Sequence, residues 1–238
     1  MTPFNVDHQM MFPNQRIGRK TECCGITRSL IKSNIFLIPM DGGFDYASDL
    51  RLQRVTPTDA GEDPYSGMQA DCIYGSLPIA NQPDNAGQEQ LEMNWSDYTD
   101  AQIQFATKYL MKGVKTLNSY SEVLTYIRTT GWGVMLCYDF SSAFLNPNAD
   151  GSLPLPSGTS SEHCSPAWGM DSRGMTITPL LGYDFGDQGY VYMNETVYNE
   201  SNVTALAYDL NAYAFVRRAY IALQYPKAIG DVLKVINK

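Results

Sequence analysis

The sequence predicts an α+β fold, and three observations predict it. Helix-period runs occupy the first half, strand-like apolar runs bounded by turn residues follow, and the apolar content suffices for one core. Of 238 residues, 44% are hydrophobic and 18% charged, the proportions of a globular chain rather than of a disordered or coiled-coil one.

Residues 1–20, with Pro3 and Pro13, read as irregular. From Thr21 to Phe36, Ile26, Leu30, Ile31 and Ile35 recur at helical spacing behind Thr21 as N-cap candidate, which puts Cys23 and Cys24 in the first turn. The segment from Asp41 to Gly67 reads as loop, and Tyr65 to Gly75 as a short helix stopped by its glycine. Residues 76–100, rich in Pro, Asn, Gln and Asp, read as a long connection. Ser119 with Glu122 three residues on is a capping box, and Val123, Leu124 and Ile127 continue it as a helix up to Gly131. The run VMLCYDF from Val134 reads as a buried strand, and Asn146 to Glu162 as a polar loop. Two further strands are expected around Met175–Thr178 and Tyr190–Met193, and the last residues, from Leu210, read as helical in part with a break at Pro226.

A net charge of −8 and a pI near 4.7 argue against nucleic acid as a partner, since no excess of Lys and Arg is present to displace phosphate counterions. No apolar run is long enough for a membrane span, and the amino end lacks the apolar core of a signal peptide. A cytoplasmic or virion-associated location is the expectation. The five cysteines, Cys23, Cys24, Cys72, Cys137 and Cys164, form an odd set without the spacing of a small disulfide scaffold, so reduced thiols are expected.

Chemistry points to the thiols. A helix N-terminus and a neighbouring imidazolium lower a thiol from about 8.5 to roughly 3.5–7.5 and make it a nucleophile. Cys23 meets the first condition. Of the two histidines, His8 lies in the irregular N-terminal stretch and His163 follows the polar loop just before strand-like sequence, so His163 is the better partner.

At this point the sequence resembles the papain-like cysteine peptidases. HCSPAWG from His163 to Gly169 matches the family's histidine and the glycine six residues on. PLLGYDFGDQGY from Pro179 to Tyr190 keeps Gly182, Gly186, Gly189 and Tyr190 in register with the family's next element, with Phe185 at its second tryptophan. Gln15 ahead of the CCGI of Cys23 to Ile26 resembles the front motif, two residues longer than usual, and Ala60 to Pro78 resembles the segment after it. The likeness spans about residues 13 to 195.

The resemblance implies a helical left part and an antiparallel β right part with a cleft between them, within a domain over 1–195 that carries an irregular arm at 1–14. Residues 196–238 are then a C-terminal extension, partly helical, packed on the domain or used for docking. It further implies Cys23 as nucleophile, His163 as base and Gln15 as oxyanion donor, with no cofactor and no metal. One departure stands out: the family's imidazole-orienting asparagine falls on Pro179, which offers neither a side-chain hydrogen bond nor an N–H. Thr178, Asp171 or Asp184 are the substitutes within the sequence.

Two functions follow. One is a thiol hydrolase cutting a peptide or a peptidoglycan cross-link. The other is a catalytically decayed papain-like scaffold with protein assembly partners, for example in a phage virion or tail. A zymogen with a cleft-blocking propeptide is not the expectation from the short stretch before Gln15. A zinc site from Cys23, Cys24, His163 and Cys164 is the weaker alternative, because adjacent ligands do not fit the usual C-x₂₋₄-C spacing.

Overall fold

The computed structural model describes residues 4–5, 23–54, 63–81, 94–178 and 191–209. Among the described residues, four α-helices precede the main run of strands: α1 (Cys23–Phe36), α2 (Gly42–Gln53), α3 (Pro64–Ile73) and α4 (Asp100–Ala106). Then follow strands β2 (Val114–Leu117), β3 (Val134–Ser141), β4 (Ser160–Asp171), β5 (Gly174–Ile177), β6 (Val191–Met193) and β7 (Thr204–Tyr208), interrupted by α5 (Tyr120–Thr130) and α6 (Glu195–Glu200). With the short β1 (Phe4–Asn5) they make a 7-stranded antiparallel sheet in the order β2-β7-β3-β4-β5-β6, β1 lying on β4. The fold is α+β, as the sequence predicts.

α1 is the central element, buried without interruption from Cys24 to Phe36. A helix enclosed on all sides is ordinarily apolar all round, yet this one carries Arg28, Lys32, Ser29, Ser33 and Asn34, all buried. It therefore has two faces of different chemistry. Cys24 and Thr27 meet β4 at Cys164, and Ile31 joins the main apolar cluster with Trp132, Val134, Ala167 and Trp168. The adjacent face meets α2 and α3 through ions. Lys32 Nζ bonds Asp45 Oδ1 of α2 at 2.7 Å and also pairs with Asp71 of α3. Arg28 reaches Asp71 Oδ1 at 3.3 Å and donates to the backbone carbonyls of Asp45 at 2.6 Å and of Gly67. Tyr208 of β7 donates its hydroxyl to Asp71, so this network joins three helices to the sheet. Burial pushes the Asp45 carboxyl up to about 7 against the pull of the Lys32 ammonium, with the Asp71 carboxylate adding to the rise.

The expected loop at Asp41–Gly67 is corrected by α2. Asp41 caps it, accepting from Gly43 N at 2.9 Å, and Arg54 ends it in the left-handed region at φ 59. Its buried residues mix Phe44, Tyr46, Ala47 and Leu50 with Gly42, Gly43, Asp45, Ser48 and Asp49, so buried polar and glycine positions mask the apolar spacing of Phe44, Ala47 and Leu50. The glycines serve close approach: a Cβ on Gly25 of α1 would lie 3.1 Å from the Gly42 carbonyl oxygen.

Other expectations hold in place. α3 ends before Gly75, and α5 has the predicted cap, Ser119 Oγ accepting from Glu122 N at 3.1 Å, with Gly131 in the left-handed region at its far end. Gly75 sits at φ +79 with its missing Cβ aimed into the Ala106 carbonyl. Gly75→Ala is expected to remove about 2–3 kcal/mol of stability, from left-handed strain and the backbone clash together. A urea titration reads it, and a loss below about 1 kcal/mol would contradict this placement.

Two boundaries move. Residues 4–5 are not irregular: β1 pairs Phe4 with Met170 and Asn5 with Gly169, covering the edge of β4 beyond Ala167, the partner of the first β3 residue. The chain also does not leave the sheet at 195. β7 lies between β2 and β3, Leu206 opposite both Thr116 and Met135, so the sheet needs residues up to Tyr208 to close its core. The helical expectation from Leu210 onward falls outside the described residues.

Candidate active site

The β3–β4 register sets the site. Tyr138 stands opposite His163 and Cys137 opposite Cys164. Side chains alternate along a strand, and here the two neighbours part company. Cys164 turns toward α1, its Sγ 2.8 Å from Cys24 Sγ and 3.1 Å from Cys137 Sγ. Thr27 Oγ1 donates to the Cys164 carbonyl at 3.4 Å, pinning the same turn of α1 to the strand. His163 is half-buried and stands edge-on to two rings, Phe140 at 5.4 Å and Tyr138 at 6.0 Å between centroids. Tyr138 is itself held by a 2.9 Å bond to Ser165 Oγ.

Cys23 is the first residue of α1, and its side chain lies outside the described residues. The positive end of the helix dipole is directed at this turn, and no acidic residue lies in the first turn of α1 to offset it. Gln15, Asp184 and Pro179 also lie outside the described residues.

The two described substitutes for the orienting asparagine are engaged elsewhere. Thr178 donates its N–H to Pro166 O at 3.1 Å, and its hydroxyl accepts from Trp168 Nε1 at 3.3 Å. Asp171 ends β4, roughly 26 Å along the strand from His163 at about 3.3 Å per residue, so it does not orient that ring. Its carboxylate is taken by Arg173. Burial works upward on Asp171, but hydrogen bonds from Arg173 outweigh it and hold the carboxyl below its ordinary value.

What sequence reasoning missed is the triple contact of Cys24, Cys137 and Cys164, all with reduced thiols. The Cys164–Cys137 half of it follows from strand register and had no signal in spacing. Among the described residues no group of three or more His, Cys, Asp or Glu side chains is placed to hold a metal ion, and no helix is long and apolar enough to cross a membrane.

Helices packed on an antiparallel sheet in this arrangement have solved counterparts. Xylellain, a cysteine protease from Xylella fastidiosa, matches over 89% of this chain and 87% of its own with a TM-score of 0.67 at 15% identity. The fold is papain-like. The Carica candamarcensis cysteine protease CMS1MS2, solved with E-64, matches over 89% of this chain and 99% of its own with a TM-score of 0.63 at 15% identity. The bromelain protease of Ananas comosus, solved with the E64 inhibitor, matches over 89% and 100% with a TM-score of 0.62 at 14% identity. No family model matches the sequence, and no curated protein matches it in sequence. At these identities the papain-like likeness is one of fold.

Proposed function

We propose that the chain is a papain-like thiol hydrolase that cuts an amide bond in a peptide or a peptidoglycan cross-link. Cys23 is the nucleophile and His163 the base; Gln15 and the Cys23 backbone N–H receive the oxyanion. The observation that supports this reading is the 2.8 Å contact of Cys24 and Cys164, which brings the backbone at the start of α1 against β4 one residue after each member of the proposed pair. In the reaction the imidazole takes the Cys23 proton, the sulfur adds to the carbonyl carbon, and the charge on oxygen is met by the N–H donors. Collapse expels the amine with the proton from His163. Water then attacks the thioester, with the same ring as base, and frees Cys23.

Competitive labelling with an iodoacetamide-type probe at neutral pH tests the nucleophile. Burial and the nearby Asp71 carboxylate push the Cys72 thiol up to about 12, which makes it an internal reference held in the unreactive form. Cys23 is expected to label at least about 10-fold faster than Cys72, as activated thiolates do, and to be protected by E-64. Labelling of Cys23 no faster than Cys72 or Cys137 would sink the assignment.

Pro179 at the position of the family's asparagine favours a second reading, a papain-like scaffold that has lost turnover and serves an assembly. Rapid Cys23 labelling without hydrolysis of a peptide library or of cross-linked peptidoglycan decides for it.

A further inference from the structure

We propose that Cys24, Cys164 and Cys137 form an oxidisable relay whose end product is a Cys24–Cys164 disulfide, stapling the first turn of α1 to β4, with a peroxide as the oxidant. The pair is within reach of covalency: 2.8 Å separates the two sulfurs, against about 2.05 Å in a disulfide. Both side chains are buried at 5% exposure, and the Thr27–Cys164 hydrogen bond already fixes helix to strand at that level. Closing the bond therefore asks for a small adjustment of two side chains. Cys137 gives the pair its access, being only half-buried and 3.1 Å from Cys164.

The chemistry balances in three steps. The Cys137 sulfur, deprotonated, attacks one peroxide oxygen, the O–O bond breaks, and Cys137 becomes a sulfenic acid while the other oxygen leaves as water. The Cys164 sulfur gives up its proton and displaces hydroxide from Cys137, which departs as a second water and leaves a Cys137–Cys164 disulfide. Cys24, losing its proton, then attacks the Cys164 sulfur and releases Cys137 as a thiolate, which takes up a proton. In sum, two thiols lose two protons and two electrons, and hydrogen peroxide becomes two waters. Solvation sets the direction of the last exchange. The departing thiolate at Cys137 is the one that water reaches, whereas the new bond between Cys24 and Cys164 leaves no charge in the dry interface.

The staple joins residues 140 apart in sequence, tying α1 to the sheet. A bridge over so long a loop acts by restricting the unfolded chain. Neither Cys23 nor His163 takes part in the oxidation; both readings use the Cys24–Cys164 contact, but labelling and hydrolysis test the hydrolase whereas peptide mapping tests the bridge, so the two failures are distinguishable. Cys72 serves as the negative control: it lies on α3 and donates to the Met68 carbonyl at 3.4 Å.

The test is peptide mapping of the full chain after brief exposure to a few equivalents of hydrogen peroxide, with remaining thiols blocked by N-ethylmaleimide and no reductant in the digest. The expected product is a linked pair of peptides lighter by two hydrogens, with fragmentation assigning the link to Cys24 and Cys164 and with Cys72 fully alkylated. Loss of the cross-link on adding dithiothreitol, and a melting midpoint raised by several degrees in the oxidised chain but not in oxidised Cys164→Ala, complete the expectation. Cys137→Ser is expected to slow bridge formation by peroxide at least about 10-fold while leaving the melting midpoint of the reduced chain in place. Full alkylation of Cys24 and Cys164 after oxidation, a bridge to Cys23 or Cys72, or a product that stops at Cys137–Cys164 overturns the proposal. An unchanged rate in Cys137→Ser overturns the relay.

Discussion

Replacing Asp71 by asparagine is expected to remove about 3–5 kcal/mol of folding stability, the cost of leaving buried charge without its counter-charge. Asp71 is fully buried, and its two oxygens receive Lys32, Arg28 and the Tyr208 hydroxyl. The asparagine keeps the shape but removes the charge, so the two buried cations lose the carboxylate they share and are left with Asp45 beside Lys32 and Asp49 near Arg28. Because the network links α1, α2, α3 and β7, its rupture loosens the seating of the helix that starts at Cys23. The pH dependence carries a second signature. Unfolded, Asp45 releases its proton near 3.8; folded, near 7. Between these values the folded chain holds a proton that the unfolded chain has lost, so stability from this group declines as pH rises from about 4 to about 7. Asp71 is one of the causes raising Asp45, so in Asp71→Asn the decline should finish at lower pH. Urea titrations across that range measure both effects. Asp171→Asn, which breaks the partly exposed pair with Arg173, should cost less than about 1 kcal/mol. Equal losses in the two variants would refute the assigned role of the buried network.

The same network explains why part of the fold was legible and part was not. α5 and β3 could be read because their signals are local: a Ser119–Glu122 cap, a terminal Gly131, and the apolar run from Val134 to Tyr138. α2 was missed, since beside Phe44, Tyr46, Ala47 and Leu50 it buries two glycines, Ser48 and two aspartates, and the partners of Asp45, namely Lys32, Arg28 and Ser76, lie on other segments. The signal for α4 was present in Thr99 and Gln102, which form a capping box, but too few residues follow for a helical period to stand out. β7 carries only five residues, and both its neighbours, β2 and β3, come far earlier in the chain. At the candidate site, the resemblance brought out Cys23 and His163 because those motifs are continuous in sequence. The Cys164 thiol meeting Cys24 and Cys137 depends instead on where α1 rests on β4 and on one register between β3 and β4.

Exchanging His163 for phenylalanine separates the chemistry of the site from its packing. The imidazole meets the Phe140 and Tyr138 rings edge-on, contacts that a phenyl ring reproduces, so stability should change by less than about 1.5 kcal/mol, as for a volume-conserving replacement. Proton transfer has no such substitute. Amide hydrolysis by the variant is expected to fall 10²–10⁴-fold, about the worth of a positioned general base. Alkylation of Cys23 should lose its low-pH plateau and follow the profile of an ordinary thiol near 8.5, a drop of about 10²-fold at pH 6. Measured together, the denaturation curve and the alkylation profile distinguish two failures. A variant that unfolds early shows a packing role for the ring, whereas a stable variant with an unaltered Cys23 profile removes His163 from the proposed pair.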